Sequence, residues 1–436
     1  MEIYSVQTVQ KPVNIMVEVP GSKSITNRAL LMAAMGKGES ELNGVLFSDD
    51  TRYFLQALKE LGFAIRVEEE NNRVCIVGQG GKIPKKEAEI YVGSAGTAAR
   101  FLTAFLAMGD GIYKVDSSEQ MKKRPMKELL CVLEKLGVEI SYQEEMYHFP
   151  MTIKGLGAKD SSYERIAEAE LNIDRSSQFL SALLMVAPLR FESLTVRLTG
   201  KRNARSYVEI TEQMMKQFGH PGVEKEENCY QVKEADYLAR NYQVEPDVSA
   251  ACYFYAMAAV TGGRAMVYHM RKDSLQGDMK FLDVLEQMGC TMSWEPEKDG
   301  EELWLTGPEG GRLRGVSEVF SDFSDQALTM AAIAPFADAP VVIRGIAHIR
   351  GQESDRIKVI HTELGRMGIR CEETEDSITI YPGEVREALV QTYDDHRAAM
   401  AFAITGLRAE GIQIENPSCC KKTFPEYFSV LNKILQ

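Results

Sequence analysis

One helix-opening signature recurs six times along the chain, and this repetition restricts the possible folds more than any other feature. The copies are "GSKSITNRALLMAAM" from residue 21, "GSAGTAARFLTAFLAM" from 93, "DRSSQFLSALLMVA" from 174, "EPDVSAACYFYAMAAV" from 245, "SDFSDQALTMAAIA" from 321 and "YDDHRAAMAFAI" from 393. They are spaced by 72, 81, 71, 76 and 72 residues. Each opens on small or acidic residues suited to N-capping and continues as a helix apolar on nearly every side, which predicts burial. A short strand follows ("GIYKV", "SLTVRL", "PVVIRGI"), and in five copies a second, amphipathic helix. In "RPMKELLCVLEKLG", Leu129, Leu130, Leu133 and Leu136 line one face, and Gly137 is placed to end the helix. A polar-tipped hairpin such as "RVEEENNRVCIVG" closes the unit. The sixth copy ends in "KTFPEYFSVLNKILQ" with no hairpin after it, and residues 1–20 read as that missing hairpin. The expected organisation is therefore α/β in two lobes. Residues 21–244 form units one to three, and residues 1–20 with 245–436 form units four to six, with crossovers near Gly21 and Glu245.

A chain of 436 residues accommodates two such domains. The formal net charge of −13 argues against a nucleic-acid partner, because a binder needs cations to displace counterions. An acidic protein can still gather its cations into one cleft for small anions. No apolar run approaches the ~20 residues of a membrane span, and the N-terminus "MEIYSVQTVQKPVN" has no basic-then-apolar signal pattern. Eight cysteines without a C-x-x-C pair read as reduced thiols in a cytoplasmic protein. No His/Cys/carboxylate cluster suggests a metal or other cofactor, and none is expected.

Helix N-termini carry unpaired N–H groups and attract anions, so the repeated helix starts are where chemistry is expected. Each presents a different polar set: Lys23, Ser24 and Arg28; Gly96, Thr97 and Arg124; Ser176, Ser177 and Gln178; Asp325, Glu353 and Arg356; Arg397 with Lys422. Differing polar sets on repeated scaffolds are the behaviour of a composite site. "GSKS" is not a P-loop, since the glycine spacing of G-x-x-x-x-G-K-[ST] is missing.

Together, "PGSKSITNRAL", "SDDTR", "AGTAARFL", "KKRPM", "SSQFLSALLM", "YVEIT", "SDQALTMA", "ESDRI", "DDHRAAMAF" and "KTFPEYF" resemble the 5-enolpyruvylshikimate-3-phosphate synthases from end to end. The resemblance implies the two-lobed enolpyruvyl transferase fold, each lobe of three βαβαββ units with buried helices, an inside-out α/β barrel. It also implies transfer of the enolpyruvyl group of phosphoenolpyruvate to the 5-hydroxyl of shikimate 3-phosphate, by a monomer with small-molecule partners only. By that resemblance Lys23, Gly96, Arg124, Gln178, Arg356, Arg397 and Lys422 hold phosphoenolpyruvate. Lys23, Ser24, Arg28, Ser176, Ser177, Gln178, Tyr207, Asp325 and Gln352 hold shikimate 3-phosphate. Asp325, Glu353 and Lys23 carry the catalysis. The chemistry suits these types, since guanidinium forks bind carboxylates and phosphates in bidentate fashion.

Four positions depart from the common pattern of that family: Ser94 and His348 where asparagine is usual, Ala204 where serine is usual, and Gln352 where lysine is usual. A charge-assisted hydrogen bond contributes about 1.5–3 kcal/mol, so the cation absent at Gln352 needs a substitute. Arg350, Arg175 and Arg205 are the candidates. The changes also leave room for a modified acceptor. The UDP-N-acetylglucosamine enolpyruvyl transferases share the fold but use a cysteine in the loop equivalent to residues 117–125, which here has none. RNA 3′-phosphate cyclases use fewer repeats and a nucleotidylated histidine. A non-catalytic anion-binding derivative would be expected to have lost Asp325, Glu353 or Lys23, and all three are present.

Overall fold

A computed structural model describes residues 2–158, 165–200, 205–297 and 300–435. The chain divides into two compact units, residues 21–244 and residues 1–20 with 245–436. Among the described residues there are five four-stranded sheets and one three-stranded sheet. The five four-stranded sheets have the same local plan, and the three-stranded one keeps its parallel pair with a single antiparallel strand. In the second repeat, strand Glu87–Tyr91 leads into helix Gly96–Ala107, and strand Ile112–Asp116 returns parallel to the first. Helix Lys127–Lys135 follows, and the hairpin Glu139–Tyr142 and Met151–Lys154 adds two antiparallel strands to the sheet. A β-α-β crossover needs a helix against the sheet, and the apolar helix supplies it.

The first helix of each repeat forms the core of its unit. Every residue from Val248 to Thr261 is buried, as is every residue of Gly96–Ala107. In residues 21–244, helix Gly96–Ala107 packs against Lys23–Met35 and Gln178–Val186; in the other unit, Val248–Thr261, Ala327–Ile333 and His396–Gly406 pack together. The second helices are amphipathic and cover this core. Gly137 follows one of them at φ 101°, with Val138 N–H bonded to the Leu133 carbonyl, and Gly62, Gly219, Gly289 and Gly368 repeat that left-handed stop. No helix among the described residues is long and apolar enough to cross a membrane.

Two expectations need correction. The N-terminal segment is not a hairpin. Ile3–Ser5 pairs antiparallel with Ile412–Glu415 in the sixth sheet, whereas Asn14–Val17 pairs parallel with Arg264–Val267 and opens the fourth. Asn241–Gln243 does the same for the first repeat, pairing parallel with the strand Lys37–Asn43. The other repeats carry the parallel strand just before their buried helix, as Glu87–Tyr91 does, whereas the first and fourth borrow theirs from distant sequence. Nor do the serines directly before the first and third buried helices cap them, although Ser176 accepts the Gln178 N–H. Ser22 and Ser177 make no side-chain cap, while Asp247 and Asp395 accept the N–H groups of Ala250 (3.2 Å) and Arg397 (3.0 Å).

Candidate active site

In the unit of residues 21–244 the sequence-selected residues fall into two clusters. Lys23 opens its helix and lies 3.9 Å from Asp50 Oδ2. One turn on, Arg28 is 1% exposed although it is an arginine. Its guanidinium donates to Thr211 Oγ1 (2.8 Å), the Ser24 carbonyl (2.9 Å), the Tyr207 carbonyl (3.1 Å) and Ser181 Oγ (3.2 Å), and it lies 5.2 Å from the Phe101 ring centre. These oxygens are all neutral. Burial accordingly pushes the Arg28 group down to about 10. Ser24, Arg28 and Tyr207 are thus brought together, with Ser181 and Thr211 as partners that sequence reasoning missed. Both lie in the motifs "SSQFLSALLM" and "YVEIT", on the faces turned toward Arg28.

The second cluster centres on Gln178, which accepts from Arg100 Nη1 (2.6 Å) and donates to Thr97 Oγ1 (3.0 Å). Arg100 also donates to the Pro125 carbonyl (3.1 Å), beside Arg124. Arg124 donates to the Ser94 carbonyl (3.3 Å), and a Cβ at Gly96 would come within 2.5 Å of its guanidinium. Only glycine leaves room for that approach. Ser176 and Ser177 are buried, and Ser176 Oγ accepts the Gln178 N–H at 3.3 Å. Arg100 was missed, yet a charged residue inside a helix buried all round is itself the signal.

The other unit gathers Asp325, Gln352, Glu353, Arg356, Arg397 and Lys422. Arg356 is 1% exposed and donates to Asp325 Oδ1 (3.0 Å), Glu353 Oε2 (2.9 Å), Asp395 Oδ2 (2.8 Å) and Gln352 Oε1. Arg397 donates to Asp325 Oδ2 (2.7 Å) and to the Tyr253 hydroxyl (3.4 Å). Lys422 Nζ lies 3.4 Å from Glu353 Oε1. Three cations therefore meet three carboxylates. Burial alone would lower both arginines, but Asp395, Glu353 and Asp325 outweigh it at Arg356, as Asp325 does at Arg397, and both are held above their ordinary value. Asp395, in "DDHRAAMAF", is the partner that sequence reasoning missed.

The substitutes suggested for a cation at Gln352 fare differently. Arg350 is turned to both oxygens of Asp355 (3.0 Å each) and to the Thr374 and Glu375 carbonyls. Its fork is thus engaged by a carboxylate and two carbonyls. Arg175 has a 70% exposed side chain, with Nε 3.9 Å from Glu128. The Arg205 side chain and Ala204 lie outside the described residues. His348 Nε2 shares a 2.7 Å hydrogen bond with Ser324 Oγ. Among the described residues, no group of three His, Cys, Asp or Glu side chains could hold a metal ion.

Two solved structures of EPSP synthase from Acinetobacter baumannii share the fold. One has a TM-score of 0.81 at 26% identity, covering 100% of this chain and 98% of that one, and the other a TM-score of 0.80 at 25% identity. The family model for EPSP synthase (3-phosphoshikimate 1-carboxyvinyltransferase) matches residues 7–431. The 3-phosphoshikimate 1-carboxyvinyltransferase of Trichormus variabilis is 42% identical over the whole of both chains. The second enzyme of that name in Halalkalibacterium halodurans is 38% identical, over 96% of this chain and 91% of its own length. The chain belongs to the EPSP synthase family.

Proposed function

We propose that the chain transfers the carboxyvinyl (enolpyruvyl) group of phosphoenolpyruvate to the 5-hydroxyl of shikimate 3-phosphate, releasing phosphate. The observation that carries this reading is family membership over the whole chain, together with Asp325 held by two guanidiniums at 3.0 and 2.7 Å. Both substrates carry a phosphate and a carboxylate, and the cations gathered at the helix starts suit them.

In this reading Ser24 and Arg28 take the shikimate carboxylate, Ser176 and Ser177 its phosphate, and Tyr207 lies along the ring. Arg124, Gln178, Gly96, Arg356, Arg397 and Lys422 hold phosphoenolpyruvate. Asp325 accepts the hydroxyl proton as the oxygen attacks C2 of phosphoenolpyruvate, and Glu353 delivers a proton to C3. The tetrahedral adduct then loses a proton from C3 back to Glu353 while the C2–O bond to phosphate breaks. Lys23 stabilises charge on the hydroxyl oxygen and the departing phosphate. Proton transfer by positioned groups contributes roughly 10²–10⁴-fold, and confining two mutually repelling anions supplies much of the rest.

Acceptor identity is the finer part of the proposal. Gln352 accepts from Arg356, so its own amide rather than a cation is what this position offers a ligand. The test is phosphate release from phosphoenolpyruvate with and without shikimate 3-phosphate. Release dependent on the phosphorylated acceptor supports the reading. Equal turnover of unphosphorylated shikimate would overturn the acceptor assignment, and no turnover of either would overturn the activity. Eight free cysteines support a reducing, cytoplasmic setting.

A further inference from the structure

The turn that carries Asp325 is a single turn of 3₁₀ helix, Ser324–Gln326. Ser324 is 1% exposed and Gln326 fully buried, whereas the Asp325 side chain is 20% exposed. The turn runs directly into the buried helix Ala327–Ile333, and side chains from other elements hold its open end from two sides. On one side His348 holds Ser324. On the other, Gln326 Nε2 donates to Asp278 Oδ1 at 2.7 Å, and the same oxygen accepts from Ser249 Oγ at 3.0 Å. Thr329 Oγ1 completes the chain by donating to Gln326 Oε1 at 3.0 Å. Asp278 is 5% exposed and sits in the short turn Gly277–Met279, anchored below the helix Val248–Thr261.

We propose that Asp278 is a positioning residue for Asp325, acting through Gln326 to fix the turn that presents Asp325 to Arg356 and Arg397. A carboxylate is costly to bury and is retained where its hydrogen bonds specify geometry. Burial, then the Asp325 carboxylate, push the Asp278 carboxyl up to about 6, while Arg397 and the Gln326 amide oppose them and Asp247 adds to the rise. Cys252 donates weakly to the Asp278 backbone carbonyl, and Lys280, two residues on, is paired with Asp322. The carboxyl accepts two hydrogen bonds at one oxygen. No step of the proposed reaction uses it, so its contribution is to where Asp325 stands.

The inference rests on the proposed role of Asp325, and its test separates the two. Wild-type phosphate release dependent on shikimate 3-phosphate is measured first; its absence overturns the activity and leaves the positioning to be read from structure. In crystals of Asp278→Ala, the Asp325–Arg397 contact is expected to lengthen beyond hydrogen-bond distance, and an unchanged contact overturns the inference. With an active wild type, Asp278→Ala is expected to lower kcat at least tenfold, with both KM values within threefold. Gln326→Met breaks the same link from the other end and is expected to match it. Asp278→Asn keeps an acceptor oxygen and is expected to return kcat to within threefold of wild type. Losses confined to KM, an Asn variant as slow as Ala, or wild-type kcat in Gln326→Met each overturn it. Should the Ala variant fail to fold, the Asn and Met variants decide.

Discussion

The two candidate clusters treat a buried guanidinium in opposite ways. In residues 21–244, Arg28 is surrounded by hydroxyl and carbonyl oxygens and its proton affinity falls. In the other unit, Arg356 and Arg397 sit among Asp325, Glu353 and Asp395 and theirs rises. The helix starts show the same contrast. Ser22 gives its helix no side-chain cap and the third buried helix is met only by the neutral Ser176 hydroxyl, whereas Asp247 and Asp395 close theirs with carboxylates. An anion arriving at Arg28 meets charge that neutral oxygens have not cancelled. One arriving at Arg356 has to compete with carboxylates already bound. In the proposed reading the first arrangement binds without competition, and the second binds its anion among acids and bases that are already paired.

The sharpest way to break this contrast is Asp325→Ala. It is expected to lower kcat by about 10²–10⁴-fold with little change in KM, and a loss appearing in KM instead would make Asp325 a binding group. Next comes a pair of stabilities. Arg356→Gln strands buried carboxylates and is expected to cost about 3–5 kcal/mol in denaturant unfolding. Arg28→Gln strands only neutral oxygens, so it should cost less, about 1–3 kcal/mol, while raising KM for shikimate 3-phosphate about 10- to 100-fold. Equal destabilisation by the two would dissolve the contrast.

A pH series on Asp278→Asn sharpens it further. The carboxyl is raised in the folded state from an ordinary value of about 3.9 to about 6. Its contribution to stability is thus fully present below pH 4 and lost as pH rises through 6. The variant cannot titrate there, so its stability relative to wild type is expected to climb between pH 4 and 7, by on the order of 3 kcal/mol. A flat difference would mean that the carboxyl titrates normally. The smallest expected effect is at Arg175, exposed and facing Glu128. Arg175→Ala should change KM for shikimate 3-phosphate less than twofold, and a larger rise would restore it as the substitute cation near Ser176.

The repeat period and the buried helices were legible because a helix apolar on all sides is stable in water only when protein surrounds it. The residue types at the helix starts were legible too, since phosphates and carboxylates call for guanidinium and ammonium groups. The partners were not. Nothing local in "DDHRAAMAF" says that Asp395 reaches Arg356, 39 positions back, because a guanidinium takes whichever acceptor the fold brings near. The two N-terminal strands looked like a hairpin because both alternate in the strand manner. Their separation to the sixth and fourth sheets is set by pairings more than 200 residues away in sequence. Arg100 and Arg28 lay in plain view as charges within apolar helices, and their hydrogen-bond partners are what makes them tolerable there.

Asn14–Val17 and Asn241–Gln243 each complete a sheet begun elsewhere, and in doing so they bring chain ends together. The Asp247 N–H bonds the Pro20 carbonyl at 2.9 Å, and a Cβ on Gly21 would lie 3.2 Å from Val244. Residues 21–244 thus begin and finish at one point, and so does the break in the remainder. A gene cut at those two junctions could encode the halves as separate polypeptides, or in swapped order, with no strand left without its neighbour.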